Sequence, residues 1–345
     1  MEMDDDYIID YDYEEPANTT LSEVGTQQPG QTCLGDGMCV FLIAITVVIF
    51  LLGFFGNGLV IWISGFKMKK TVNTTWYLSL AISDFLFCAF LPISITAMVM
   101  EEWIFGLYMC KFTSSVMFLN MFSSIFLLVV ISVDRCVSVV FPVWAQNHRT
   151  LQKASVVVIL SWLLAIVMSI PSIIFRDTGT QMGHTVCYNN YTSYPNGHRV
   201  IAMSRFVVGF LIPFIFIIFC YTIIILKLRN NRMTKSSKPF KVMTALIATF
   251  FMCWLPYHVF ILMELNHHKY NLELLTTGLK VGMILATANS FLNPVLYVFM
   301  GNDFKKTLKS SVLSKMENAM GEEGPTISRY LSRSSSVDTR ASTHI

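Results

Sequence analysis

Between Thr71 and Met100 the only charged side chain is Asp84. A carboxylate in so apolar a run is costly unless polar groups converge on it. Suitable groups recur elsewhere at helical spacing. Asn120 and Ser124 are four apart and share a helix face, as do Asn289 and Asn293 with Ser290 beside them, and Asn57 adds another amide. Together they make an oxygen-rich cluster around one carboxylate. Hard cations take oxygen ligands, and sodium fits by size and abundance. The same residues also suit a hydrogen-bond network that joins helices, and spacing leaves both readings open.

A second chemistry is anion capture. Arg205 precedes Pro213 by eight residues, about two helical turns. A guanidinium in an apolar cavity clamps a carboxylate through its planar fork; the alternative is snorkelling to lipid headgroups. Lys280 is a candidate second cation and Glu264 a candidate partner for ligand amides. A third feature is the adjacent pair Asp134-Arg135, 24 residues after Cys110. The rise of about 36 Å sets Cys110 and this pair at opposite surfaces, although a snorkelling arginine explains the position equally. No enzyme reading survives. His258, His267 and His268 have no third ligand for a metal, no C-x-x-C pair occurs, and no nucleophile or acid-base couple stands at workable spacing.

These residues must be positioned by membrane helices. Of 345 residues, 54% are hydrophobic and 14% charged, against about 25% charged in soluble domains. A bilayer core needs about 20 apolar residues per helix. Six runs lack Asp, Glu, Lys and Arg: Met38 to Phe66, Phe112 to Val133, Ala154 to Phe175, Phe206 to Leu226, Val242 to Met263 and Val281 to Asn302. The Asp84 run, Thr71 to Met100, is the seventh. The expected fold is an all-α membrane protein, a seven-transmembrane helix bundle.

Basic residues follow span one (Lys67, Lys69, Lys70) and lie between three and four, between five and six, and after seven (Lys305, Lys306, Lys309). Positive loops stay in the cytoplasm. The expected topology therefore has the amino terminus outside and the carboxyl tail inside, at the plasma membrane. With no basic n-region or apolar h-region at the start, span one is expected to serve as the insertion signal. The chain divides into an acidic tail (1–37), the bundle (38–301), an amphipathic helix on the inner leaflet (302–320) and a disordered hydroxyl-rich tail (321–345). Sequons at Asn18 and Asn190 fall outside, and the one at Asn73 falls inside, where it stays unmodified. Ser332, Ser334, Ser335, Ser336 and Thr339 are kinase candidates. Pro92, Pro171, Pro213, Pro256 and Pro294 kink their helices. Pro256, two residues after Trp254, is the expected hinge.

Several motifs occur in order. Gly56-Asn57 lies on span one, Leu80 to Asp84 on two, Asp134-Arg135-Cys136 on three and Trp162 on four. Pro213 and Tyr221 mark span five, Cys253-Trp254-Leu255-Pro256 six and Asn293-Pro294-Val295-Leu296-Tyr297 seven. The chain thereby resembles the rhodopsin-type, G-protein-coupled receptors. That resemblance implies a Cys110–Cys187 bridge and an Arg135 held by Asp134 at rest. It implies an activation switch of Asp134, Arg135, Trp254, Pro256, Tyr221, Asn293, Pro294 and Tyr297. It also implies an allosteric sodium pocket of Asp84, Asn120, Ser124, Asn289 and Asn293, with no other cofactor. Cys136 stands where most members carry Tyr, a departure that chemoattractant receptors share.

Lys67 to Asn73, Pro142 to Arg149 and Tyr297 to Gly301 resemble the chemoattractant branch. Phe175 to Thr178, Cys187 to Tyr191, Pro256-Tyr257-His258 and Glu264-Leu265 are most similar to chemerin receptors. Phe118 replaces the span-three Asp of formyl-peptide receptors, which counts against formyl-methionine. The branch implies a peptide or protein agonist whose carboxyl terminus meets Arg205, with Glu264, Asn120, Phe118 and Lys280 around it. Implied partners are an inhibitory-class heterotrimeric G protein, receptor kinase and arrestin, and membrane lipid, with no nucleic acid. The alternatives are a formyl-peptide-type receptor and an atypical, arrestin-biased or scavenging chemoattractant receptor. A transporter would need repeated halves or broken helices, and neither is visible. Tyr7, Tyr11 and Tyr13 among acids suggest sulfation or merely a solubilising tail. Cys33 and Cys39 pair with each other or stay free.

Overall fold

Why seven helices form follows from the solvent: in lipid every backbone N–H and C=O must be satisfied within the segment, which a helix does unaided. The computed structural model describes residues 35, 37–181, 183–230, 238–300 and 304–311. Among them, seven helices are long and apolar enough to cross a membrane. Spans one to seven are Gly37–Lys67, Val72–Met100, Gly106–Val140, Leu151–Phe175, Gly197–Arg229, Val242–Glu264 and Leu272–Tyr297. A short helix, Pro142–His148, joins three to four, and another covers 304–311. The remainder of the expected 302–320 helix, the acidic tail with Asn18 and its tyrosines, and the serine cluster with Ser332, Ser334, Ser335, Ser336 and Thr339 lie outside the described residues.

Several helices outlast their apolar runs. Span three starts six residues before Phe112, span five nine before Phe206, and span seven nine before Val281. The added turns carry polar side chains, some turned inward, as Arg205 is, and others exposed, as Arg199, Glu273 and Lys280 are. Span three is the axle, with 67% of its most apolar window buried against 22% for spans one and four, which turn most of their side chains outward. Exposed Ile159, Leu160 and Leu163 on span four and Ile215, Phe216 and Phe219 on span five are ordinary for a surface facing lipid.

Two glycines set close approaches. A Cβ on Gly282 would lie 2.9 Å from the Tyr257 Cα, so spans six and seven touch backbone to backbone. A Cβ on Gly209 would meet the Met121 side chain at 2.9 Å. Gly209 belongs to a π-helical turn, Val207–Leu211, closed by the Ile212 N–H on the Val207 carbonyl. This wide turn lies immediately before Pro213. The expected kink is thus accompanied by an inserted residue that absorbs the bond a proline breaks.

The segment after span four folds as an antiparallel hairpin that the apolar pattern did not announce. Strand β1 (Arg176–Gln181) pairs with β2 (His184–Asn189), and Thr178 faces Cys187. Gly183 supplies the positive φ of +90° in the connection. Cys187 is bonded to Cys110 on span three, with Cα atoms 5.6 Å apart. The Trp103 N–H, after span two, donates to the Thr185 carbonyl at 2.7 Å. The hairpin is therefore tied to spans two, three and four at one end of the bundle. Cys39 is also in a disulfide, and Cys33 is outside the described residues.

Candidate functional site

Below the hairpin a cavity opens between spans three, five, six and seven. Phe118, Arg176, Tyr191, His198, Arg205, Tyr257, His258 and Glu264 are among its lining residues. Arg205 reaches it because span five continues as helix beyond its apolar run. One guanidinium nitrogen, Nη2, donates to Ser172 Oγ at 2.9 Å. The guanidinium carbon lies 3.4 Å from the centroid of the Phe118 ring. Phe118, singled out in the sequence only for the acid it replaces, is therefore the platform on which Arg205 rests. Nε of Arg205 is shut off from solvent with no hydrogen-bond partner, and among the described residues no carboxylate lies within ion-pairing distance of the group.

The cavity also holds an acid. Glu264, itself buried, stands 3.6 Å from His198 Nε2. His198 stacks on Tyr191, ring centroids 5.4 Å apart. Burial pushes the Tyr191 phenol up, opposed by Arg205 and Arg176, so it remains a neutral donor. On the floor His258 is buried with Nε2 unpartnered. It packs on Phe206, Phe210, Trp254 and Tyr257 at 5.2 to 6.3 Å between centroids. The cavity is thus cationic at Arg205, acidic at Glu264 and aromatic beneath. Lys280, expected as a second cation, is exposed and is not a lining residue, because its turn of span seven faces away. Asn120, expected to serve the ligand as well, is committed to the middle of the bundle.

There the polar cluster assembles. Asp84 Oδ1 accepts from Asn120 Nδ2 at 2.8 Å and Oδ2 from Asn293 Nδ2 at 2.7 Å. Ser290 Oγ donates to Asn120 Oδ1 at 3.3 Å, and Asn57 Nδ2 donates to the Ser290 carbonyl at 2.8 Å. Ser83 and Ser123, absent from the sequence reading, join through Asn120 Nδ2 to Ser83 Oγ at 3.1 Å and the Ser83–Ser123 contact. Every one of these side chains is buried. Ser124 Oγ, Asn289 Oδ1 and Asn57 Oδ1 have no partner. Three unpartnered buried oxygens on the helices that carry this carboxylate network are the kind of donors a small hard cation takes. Trp254 lies between cavity and cluster, buried against Phe250 and Tyr257 with Nε1 unpartnered.

At the opposite end from the hairpin the acid-base pair is not the simple couple expected. Arg149 grips Asp134 with two nitrogens, Nε on Oδ1 at 2.7 Å and Nη2 on Oδ2 at 2.9 Å. Arg135 Nε stands 3.9 Å from Asp134 Oδ2 and makes no hydrogen bond. Its Nη2 instead donates to Asn73 Oδ1, which also accepts from Arg149 Nη2 at 2.5 Å. Asp134 thus keeps Arg135 within ion-pairing distance, while the forked pair, the stronger geometry, belongs to Arg149. Nearby, Tyr221 OH is 3.4 Å from Thr244 Oγ1. Tyr297 is buried against Tyr77 at 4.9 Å, with its hydroxyl unpartnered. Pro256 and Pro294 lie inside their helices.

Around the hairpin, Asn190 Nδ2 donates to Asp177 Oδ2 at 3.1 Å, and its Oδ1 accepts from Thr192 Oγ1 at 2.6 Å. The Asn190 amide and the Thr178 N–H hold the Asp177 carboxyl below its usual range.

Comparison with known proteins agrees with this architecture. Residues 56–297 match the model of the 7 transmembrane receptor (rhodopsin family). The chain is 45% identical over 302 residues to chemerin-like receptor 1 of Homo sapiens, covering 82% of this chain and 81% of that one. It is 39% identical over 299 residues to formyl peptide receptor-related sequence 6 of Mus musculus, covering 83% and 88%. It is 40% identical over 281 residues to chemerin-like receptor 2 of Macaca mulatta, covering 79% of each. These are receptors and not enzymes. With seven apolar spans around a polar interior and a match over most of its length, the chain belongs to the rhodopsin family of seven-transmembrane receptors.

Proposed function

We propose that this protein is a plasma-membrane chemoattractant receptor whose agonist is a peptide or protein with a free carboxyl terminus, chemerin being the first candidate. The observation that carries the reading is Arg205: a guanidinium on an aromatic platform inside a cavity, one nitrogen unpartnered and, among the described residues, no carboxylate within ion-pairing distance. An incoming terminal carboxylate supplies what it lacks, through two parallel N–H···O bonds. Glu264 offers the complementary acceptor for the amides that precede such a terminus. The names of the relatives support the same ligand class. Phe118 stands against formyl-methionine as the preferred group.

In this reading the hairpin end faces outside, as the distribution of basic residues requires. Agonist pressure on the cavity floor is passed from His258 to Trp254. Span six then swings at Pro256 and opens the Arg135 end to an inhibitory-class G protein. A sodium ion would be held by Asp84, Asn120, Ser124, Asn289 and Asn293, and its charge there would favour the closed bundle. Phosphorylation of the tail by receptor kinase then brings arrestin.

The test is inhibition of cyclic-AMP accumulation in transfected cells exposed in parallel to chemerin, its carboxyl-terminal peptide, the same peptide amidated, and formyl peptides. Responses to the first two alone are expected. A response confined to formyl peptides would overturn the ligand, and binding with arrestin recruitment but no cyclic-AMP change would favour an atypical receptor.

A further inference from the structure

Around Asp134, among the described residues, two guanidiniums and one amide oxygen meet a single carboxylate. Asp134 is a short acid with two oxygens, and Arg149 occupies both at hydrogen-bond distance. Arg135, the neighbour of Asp134 in sequence, is left with the 3.9 Å contact and with Asn73. Arg149 lies just beyond the short helix Pro142–His148, so the loop between spans three and four sets which arginine the acid serves. We propose that Arg149 is a positioning residue that competes with Arg135 for Asp134, so that it eases the release of Arg135 rather than reinforcing the resting state.

A carboxylate whose two oxygens each accept from one guanidinium has little left for a second at the same geometry, and forked pairing is stronger than a single oblique one. Without Arg149, Arg135 need only rotate about its own side chain to take the vacated fork. Asn73 has the reverse role. Its amide oxygen is the hydrogen-bond acceptor that Arg135 does have, and it draws the two cations together against their repulsion. Removing Asn73 leaves Asp134 still taken and Arg135 untethered. The sequon at Asn73 thereby acquires a use unrelated to glycosylation.

The proposal rests on the reading that this end meets the G protein, so its test has a readout independent of any transducer. Spin labels at exposed Phe66 and Ala248 report the separation of spans one and six in purified receptor. Nucleotide exchange on an inhibitory-class G protein is measured beside it, without agonist. Arg149→Ala is expected to shorten the label distances and to lower basal exchange about threefold, and Asn73→Ala to lengthen them and raise exchange about threefold. Arg149→Lys, which keeps a cation without the fork, falls between wild type and Arg149→Ala and separates competition from damage to the loop. Changes of the same sign in the Arg149→Ala and Asn73→Ala proteins, or an Arg149→Ala protein that opens or does not move, overturn the proposal. Label distances that shift as stated while even wild type catalyses no exchange remove the coupling reading and leave the competition standing.

Discussion

Arg205 and Arg135 are both enclosed near an end of the bundle, and both leave Nε without a partner. They differ in what surrounds them. Arg135 has an acid beside it in the chain, a second arginine competing for that acid, and an amide. Arg205 has a hydroxyl and a ring face. The first cation is balanced from within, and in the proposed reading its partners are rearranged by helix movement. The second has no counter-ion within ion-pairing distance among the described residues, so in the proposed reading the missing charge arrives with the ligand. Both are buried, and in the proposed reading the anions around them separate a switch from a receptor for something else.

The largest effect is expected at Arg205. Arg205→Ala weakens a carboxylate-ended peptide agonist by about 30-fold or more, corresponding to ~2 kcal/mol, in competition binding. An amidated peptide loses far less, and equal losses would erase the contrast with Arg135. Phe118→Leu, which keeps the volume apolar but removes the ring face, costs about 1 kcal/mol of the same affinity.

Next comes the cluster between the two arginines. Asp84→Asn is expected to abolish an approximately fivefold effect of sodium on agonist affinity, seen by titrating sodium against potassium. Persistent sensitivity would reduce the cluster to a helix-joining network. Gly282→Ala places a methyl against Tyr257 backbone that cannot yield, and lowers the melting temperature of purified receptor by a few degrees, about 1–2 kcal/mol of overpacking. Smallest is the response at Asp177. Its folded pKa is depressed, so its stabilising contribution is complete above the ordinary carboxylate range and is lost as pH falls through the lower, folded value. Acidification from pH 7 to 5 therefore leaves the protection of the hairpin amides, relative to their intrinsic exchange rate at each pH, unchanged, and Asp177→Asn lowers that protection at both pH values.

The bundle was legible because uncharged runs of membrane length have few other uses, and Asp84 because one carboxylate stands out in such a run. Ser83 and Ser123 were not, since serines are cheap inside helices and carry no charge to mark them. Lys280 failed as a cavity residue for want of a rotational phase: nine more residues of helix before Val281 turn it outward. The hairpin escaped because Arg176 to Gln181 is polar throughout and lacks the alternation of a half-buried strand. Arg149 escaped for a different reason. Its partner lies fifteen residues back across a loop, and spacing in a loop does not determine a path.

The contact at Gly282 also sets a mechanical ratio. Tyr257, pressed on it, is seven residues from Glu264 and fifteen from Val242, arms of about 10 and 22 Å at 1.5 Å per residue. Span six is thus a lever with its fulcrum nearer the ligand, and each ångström won at the short arm is returned as roughly two at the other.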